Sequence, residues 1–103
     1  MQNKNIQALL AEAQKKQRAY DRGVTEIEET EYEIEKNGII KVVMLGSKEI
    51  VSITIDKDAL TPDDKEFIEE SLKKAINTII EDIDNDIEDV RNATIGQTNN
   101  MGF

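Results

Sequence analysis

The sequence predicts an α+β domain in the order helix, three antiparallel strands, helix (α-β-β-β-α), built to function as a homodimer. Three observations carry this. A heptad-like apolar stripe runs through the first 28 residues, three short β-patterned runs separated by turn residues fill residues 29–56, and an unbroken helical period runs from Thr61 to about Arg91. Hydrophobic residues make up 38% of the 103 and charged residues 34%. That ratio gives one chain a thin core for its surface and favours an oligomer that completes the core between subunits.

The first helix is expected from about Asn3 to about Glu28. Ile6, Leu10, Ala13, Gln17, Tyr20, Val24 and Ile27 recur at alternating spacings of four and three, and Leu9 widens the stripe. At 1.5 Å per residue such a helix is roughly 35–40 Å long, more than a three-stranded sheet can cover. One end should therefore project or pack on a partner subunit. Gly23 lies inside the pattern at a cost of about 1 kcal/mol relative to Ala, which allows a bend or an early end there.

The run Glu29–Lys36 alternates Tyr32 and Ile34 with Glu31, Glu33 and Glu35, as expected of a strand at a sheet edge with a charged outer row. Asn37-Gly38 is a type I′ turn signal leading into Ile39–Leu45, which is apolar on both faces except at Lys41. Two registers are open. A two-residue turn places Tyr32 and Ile34 on the face of Lys41 and Val43, and a bulge moves them to the other face. Gly46 and Ser47 then turn the chain into a third strand, in which Val51, Ile53 and Ile55 alternate with Ser52, Thr54 and Asp56. This alternation assigns Ile53 to the sheet core, where truncation to Ala should cost about 2–5 kcal/mol.

A short connection from Asp56 to Leu60 leads to a helix start signal. Thr61 suits the N-cap, Pro62 the first helical position, and Asp63, Asp64 and Glu66 the positive end of the helix dipole. Phe67, Ile68, Leu72, Ala75, Ile76, Ile79, Ile80, Ile83, Ile87 and Val90 form its apolar side. A single domain is thus expected over residues 1–91, and residues 92–103, with no period and rich in Asn, Gly and Thr, read as a disordered tail.

Composition excludes much chemistry. The chain has no Cys and no His, so thiolate metal sites, disulfides and the commonest general base are absent. No phosphate-binding glycine loop, nucleophile elbow, zinc spacing or dinucleotide fingerprint occurs, and no enzyme, cofactor or small-molecule substrate is indicated. The dense carboxylate run Glu81–Asp89 has Ile83 and Ile87 at helical spacing, which makes it a solvated helix face and not a calcium cage. Apolar runs are too short for a membrane span, and the polar start MQNKN is unlike a signal peptide, so a cytoplasmic location is expected.

Charge is divided unevenly along the chain, whose net is −9. Residues 1–22 hold five bases against two acids, residues 23–55 three against seven, and residues 56–103 five against thirteen. Only the first helix is basic, so contact with nucleic acid must come from a local patch and depend steeply on salt.

AEAQKKQRAYDRGVTEIEE in the first helix, G-I-I-K-V-V from Gly38, a turn Gly, a strand ending I-x-I-D, L-x-x-D-D-K-E-x-I-E-E from Leu60 and Asn77 follow one another in order. Together, over about residues 8–91, they resemble the YbaB/EbfC family of small bacterial nucleoid-associated proteins. The resemblance implies duplex DNA and a second copy of the chain as partners, a nucleoid location, and DNA contacts from the first and last helices. The matching bases here are Lys15, Lys16, Arg18 and Arg22 in the first helix and Lys73, Lys74 and Arg91 in the last. Members often carry bases in the second half of the last helix, where this chain has EDIDNDIEDV. The alternative reading is a dimeric protein-interaction module of the same fold that has lost DNA binding.

Overall fold

The computed structural model describes residues 2–96, and side chains from residue 5 onward. Helix α1 (Gln2–Glu29) is followed by strands β1 (Glu31–Lys36), β2 (Ile40–Leu45) and β3 (Ile50–Ile55), two single 3₁₀ turns (Lys57–Ala59 and Pro62–Asp64), and helix α2 (Lys65–Ala93). The three strands form one antiparallel sheet in the order β1-β2-β3. This is the expected α-β-β-β-α architecture. The long axis measures 75 Å, well beyond the ~43 Å of a 29-residue helix.

α2 lies across β1 and β2 and buries Ile68, Ala75, Ile79 and Ile83 against Ile40, Val42 and Met44. Those strand residues alternate with exposed Lys41 and half-buried Val43 and Leu45. The core side of β2 is therefore fully covered, and its other side only in part. At the first hairpin the bulged register is the one adopted. Tyr32 pairs with Met44, Ile34 with Val42 and Lys36 with Ile40, which puts Tyr32 and Ile34 on the α2 side. Asn37 and Gly38 both have positive φ (57° and 67°) and Ile39 N–H donates to Lys36 O at 2.9 Å. The type I′ turn forms as expected, and Ile39 is the additional residue that reverses the faces.

Ile53 is not in the core of the chain. It stands opposite fully buried Val42 and yet is 44% exposed, because α2 stops short of β3 and leaves that edge of the sheet bare. The alternation in β3 is also interrupted. Met44 pairs with Ile50 and Val43 with Ser52, so Val51 is bulged out of the ladder.

Gly23 neither bends nor ends α1. A Cβ built there would lie 2.6 Å from Val90 Cγ1, so the glycine is where α1 and α2 touch. The β2–β3 turn fixes their relative direction. Gly46 abuts the Ile27 backbone and donates to Thr30 O, Ser47 N–H donates to Glu28 O, and Lys48 Nζ pairs with Asp84 at 2.8 Å. Residues 27–28 of α1 therefore lie near residue 84 of α2, while Gly23 meets Val90. The helices run antiparallel, and the first part of α1 extends past the end of α2.

The start of α2 differs from the expected one. Thr61 caps only the 3₁₀ turn of Pro62–Asp64, its hydroxyl donates to Asp64 Oδ2 at 2.9 Å, and the α-helix begins at Lys65. Phe67, in the first turn, is 44% exposed and lies outside the core. At the other end Asn92 and Ala93 remain helical, Thr94 Oγ1 donates to Val90 O and Gly96 N–H to Arg91 O. The rest of the expected tail, residues 97–103, lies outside the described residues. No described helix is long and apolar enough to cross a membrane.

Candidate nucleic-acid interface

The half-buried residues of α1 are Lys16, Ala19, Tyr20, Gly23, Val24 and Ile27, a stripe at helical spacing that follows the line of contact with α2. N-terminal to residue 16 the described part of the helix is exposed throughout. Ile6, Leu9 and Leu10 are 55%, 70% and 57% exposed, so the apolar seam continues past the end of its cover. At 100° per residue, Lys15, Arg18 and Arg22 fall within about 60° of one another, on the side turned away from the buried stripe. All three are exposed and make no salt bridge among the described residues. Lys16 does not share their face and is half-buried.

The bases of α2 are divided. Arg91 follows Val90 directly and so sits beside the crossing at Gly23. Lys73 and Lys74 lie five turns back along the helix, roughly 25 Å away. Lys73 is paired with Glu70 at 3.1 Å, whereas Lys74 and Arg91 are exposed without a salt bridge among the described residues. The geometry thus brings Lys15, Arg18, Arg22 and Arg91 to the projecting end of the molecule and leaves Lys73 and Lys74 over the sheet.

Part of the acidic run has partners that the sequence pattern concealed. Tyr32 Oη donates to Asp86 Oδ2 at 2.7 Å, and Asp84 holds Lys48. Partial burial, followed by the hydrogen bond to Asp86 and the charges of Asp86 and Asp82, pushes the Tyr32 phenol up to about 12. These two carboxylates tie α2 to β1 and to the β2–β3 turn, while Glu81, Asp82, Glu88 and Asp89 face solvent. On the opposite side of the sheet Lys41 reaches diagonally to Glu33 at 2.7 Å, and that carboxylate raises the lysine's pKa. Both groups are largely exposed there, so the pair adds little stability.

Comparison with known proteins assigns the chain. The family model described as the YbaB/EbfC DNA-binding family matches residues 1–97. A nucleoid-associated protein of Mycoplasmopsis pulmonis is 34% identical over 84 residues, covering 82% of this chain and 83% of that one. A nucleoid-associated protein of Metamycoplasma arthritidis is 34% identical over 86 residues, covering 84% and 90%. One from Lachnoclostridium phytofermentans is 28% identical over 99 residues, covering 95% and 83%. With the α-β-β-β-α fold in place and the match running through both helices and the sheet, the chain belongs to the YbaB/EbfC DNA-binding family.

Proposed function

We propose that this protein binds duplex DNA as a homodimer, mainly through phosphate contacts, and acts in the cytoplasm in nucleoid organisation or gene regulation. Membership in a family of nucleoid-associated DNA-binding proteins supports the DNA partner, and that family is not one of enzymes. The single observation that carries the mode of binding is the exposed face of Lys15, Arg18 and Arg22 on a helix that projects beyond the body, with Arg91 at its base. Lys16, Lys73 and Lys74 are proposed as secondary contacts. No aromatic side chain stands on that basic face to stack on bases, so binding is electrostatic and largely indifferent to sequence. Two copies double the patch.

A salt-titrated duplex-shift assay tests this. If four to six phosphates are met, log affinity should fall with log salt at about −0.9 per contact. The variant Lys15→Gln/Arg18→Gln/Arg22→Gln should lose binding to all sequences alike, because these three side chains are exposed on the side turned away from the contact with α2. Undiminished binding by this variant would show that the patch is misplaced. The acidic surface of α2 favours the second reading, a dimeric protein-interaction module of the same fold. The absence of any shift for the parent protein even at low salt selects that reading.

A further inference from the structure

The apolar stripe of α1 does not end where its cover does. Tyr20, Val24 and Ile27 are half-buried along the contact with α2, and Ile6, Leu9 and Leu10 continue the same stripe at 55–70% exposed. At 100° per residue these three and Ala13 centre on the side of the helix roughly opposite Lys15, Arg18 and Arg22. The exposed stretch is also almost neutral, since Glu12 is the one charged residue among residues 5–14. Its cover should be apolar, uncharged and in line with α2.

The chain itself arrives at that place. α1 and α2 run antiparallel with Gly23 against Val90, so each residue beyond Val90 moves about one residue back along α1, and Gly96 comes to about the level of Gln17. Lys16 and Ala19 of α1 are half-buried, as are Thr94, Ile95 and Gly96, so the line of contact continues past Ala93, the last residue of α2. Residues 97–103, QTNNMGF, follow in the sequence and carry no charged side chain. At up to ~3.3 Å per residue these seven can span roughly 23 Å, whereas Ile6 lies only ~17 Å from Gln17 along the helix axis. The length therefore suffices, with about two residues to spare.

We propose that residues 97–103 of the same chain dock along the exposed apolar side of α1, with Met101 over Leu9 and Leu10 and Phe103 over Ile6. In an extended segment Asn99, Met101 and Phe103 share one side, which sets both large apolar side chains against the stripe. A segment on so short a tether acts at an effective concentration in about the millimolar range. Two side chains then suffice where a separate partner would need a larger surface. Docked there, the segment leaves the basic side of α1 free and holds the arm helical behind it. That consequence for DNA rests on the reading proposed above, and the contact itself does not.

The absence of native Cys makes the test direct. Ala13 lies on the apolar side of α1 and Ala11 on the basic side, about 160° apart round the helix and at nearly the same level. In the full chain under mild oxidation, Asn99→Cys/Ala13→Cys should close an intramolecular disulfide at least about tenfold faster than Asn99→Cys/Ala11→Cys. Equal rates would mean that the segment visits all sides of the helix, and a disulfide joining two chains would mean that a second copy supplies the cover. Either result overturns the proposal. The cover is two side chains, so the arm stays less protected than α2, but Met101→Ser/Phe103→Ser should speed amide exchange over residues 5–14 about threefold to tenfold and leave α2 around Ile79 unchanged. Unaltered exchange over residues 5–14 overturns the contact even if the cysteine pair closes. The same variant should bind duplex DNA about threefold to tenfold more weakly at an unchanged salt slope, because the phosphate contacts remain and only the ordering of the arm is lost. Faster exchange with undiminished affinity upholds the contact and overturns its consequence for DNA.

Discussion

Gly23 of α1 lies against Val90 of α2 so closely that a methyl group on the glycine would fall 2.6 Å from Val90 Cγ1. This contact lies close to the end of α2, and the part of α1 N-terminal to Lys16 extends past that end. Gly23→Ala should gain up to about 1 kcal/mol in helix propensity and lose about 1–3 kcal/mol to overpacking, because the β-branched Val90 cannot move aside by rotating a long side chain. A net loss of about 1 kcal/mol is expected in chemical denaturation. Adding Val90→Ala should recover most of it, and two single changes that simply add would argue against the contact.

The hydrogen bond from Tyr32 to Asp86 ties β1 to α2, and partial burial together with that bond holds the phenol protonated to about pH 12, against an ordinary value of 10.0. A raised folded-state value means the stabilisation is complete below pH 10 and is lost as the pH climbs through about 12. Ultraviolet titration of tyrosinate should show this late transition, and Asp86→Asn should bring it to lower pH. At neutral pH Tyr32→Phe should cost about 0.5–1 kcal/mol, less than is usual for a bond to a charged group because this one is at the surface. A Tyr32 that ionises near pH 10 in the folded parent would contradict the geometry.

The elements were legible in the sequence because each has its own period and its own stop signal. Asn37-Gly38 marked the first turn and Pro62 the last approach to α2, and the basic residues of α1 could be placed on the helix by counting alone. Three features depended on tertiary placement. Ile53 has a core residue's pattern, and only the position of α2 over β1 and β2 leaves it bare. Gly23 looks the same in sequence whether it breaks a helix or admits a neighbour, and Val90 lies 67 residues away. Asp84 and Asp86 sit in a run whose composition speaks for solvent, and their partners Lys48 and Tyr32 become neighbours only through the antiparallel arrangement of the sheet and helices.

The projecting part of α1 should be the least protected helix in the protein. Its apolar residues Ile6, Leu9 and Leu10 are exposed, and a stretch of about 12 residues without tertiary packing is marginal as a helix in water. Amide hydrogen exchange should be fast over residues 5–14 and slow around Ala75, Ile79 and Ile83, whose side chains are buried. Protection of residues 5–14 equal to that of α2 in the free protein would mean that the arm packs on something, and a concentration dependence of that protection would identify a second copy.

Charge reversal in the last turns of α2 is the remaining prediction. Asp84 and Asp86 are occupied by Lys48 and Tyr32, so replacing them would disturb the fold as well as the field. Glu88 and Asp89 are exposed, make no salt bridge among the described residues, and lie beside Arg91 at the crossing with α1. Glu88→Lys/Asp89→Lys changes the charge of each copy by +4 next to the face of Lys15, Arg18 and Arg22. Duplex affinity should rise at low salt and the salt slope should steepen by up to about 2 per copy, if both new lysines reach phosphates. The same two changes at Glu69 and Glu70, on the first turns of α2 with Lys65 and Lys73 as their partners, should leave the slope nearly unchanged. An equal response at both ends of α2 would mean that overall charge, and not the patch at the helix crossing, governs the interaction.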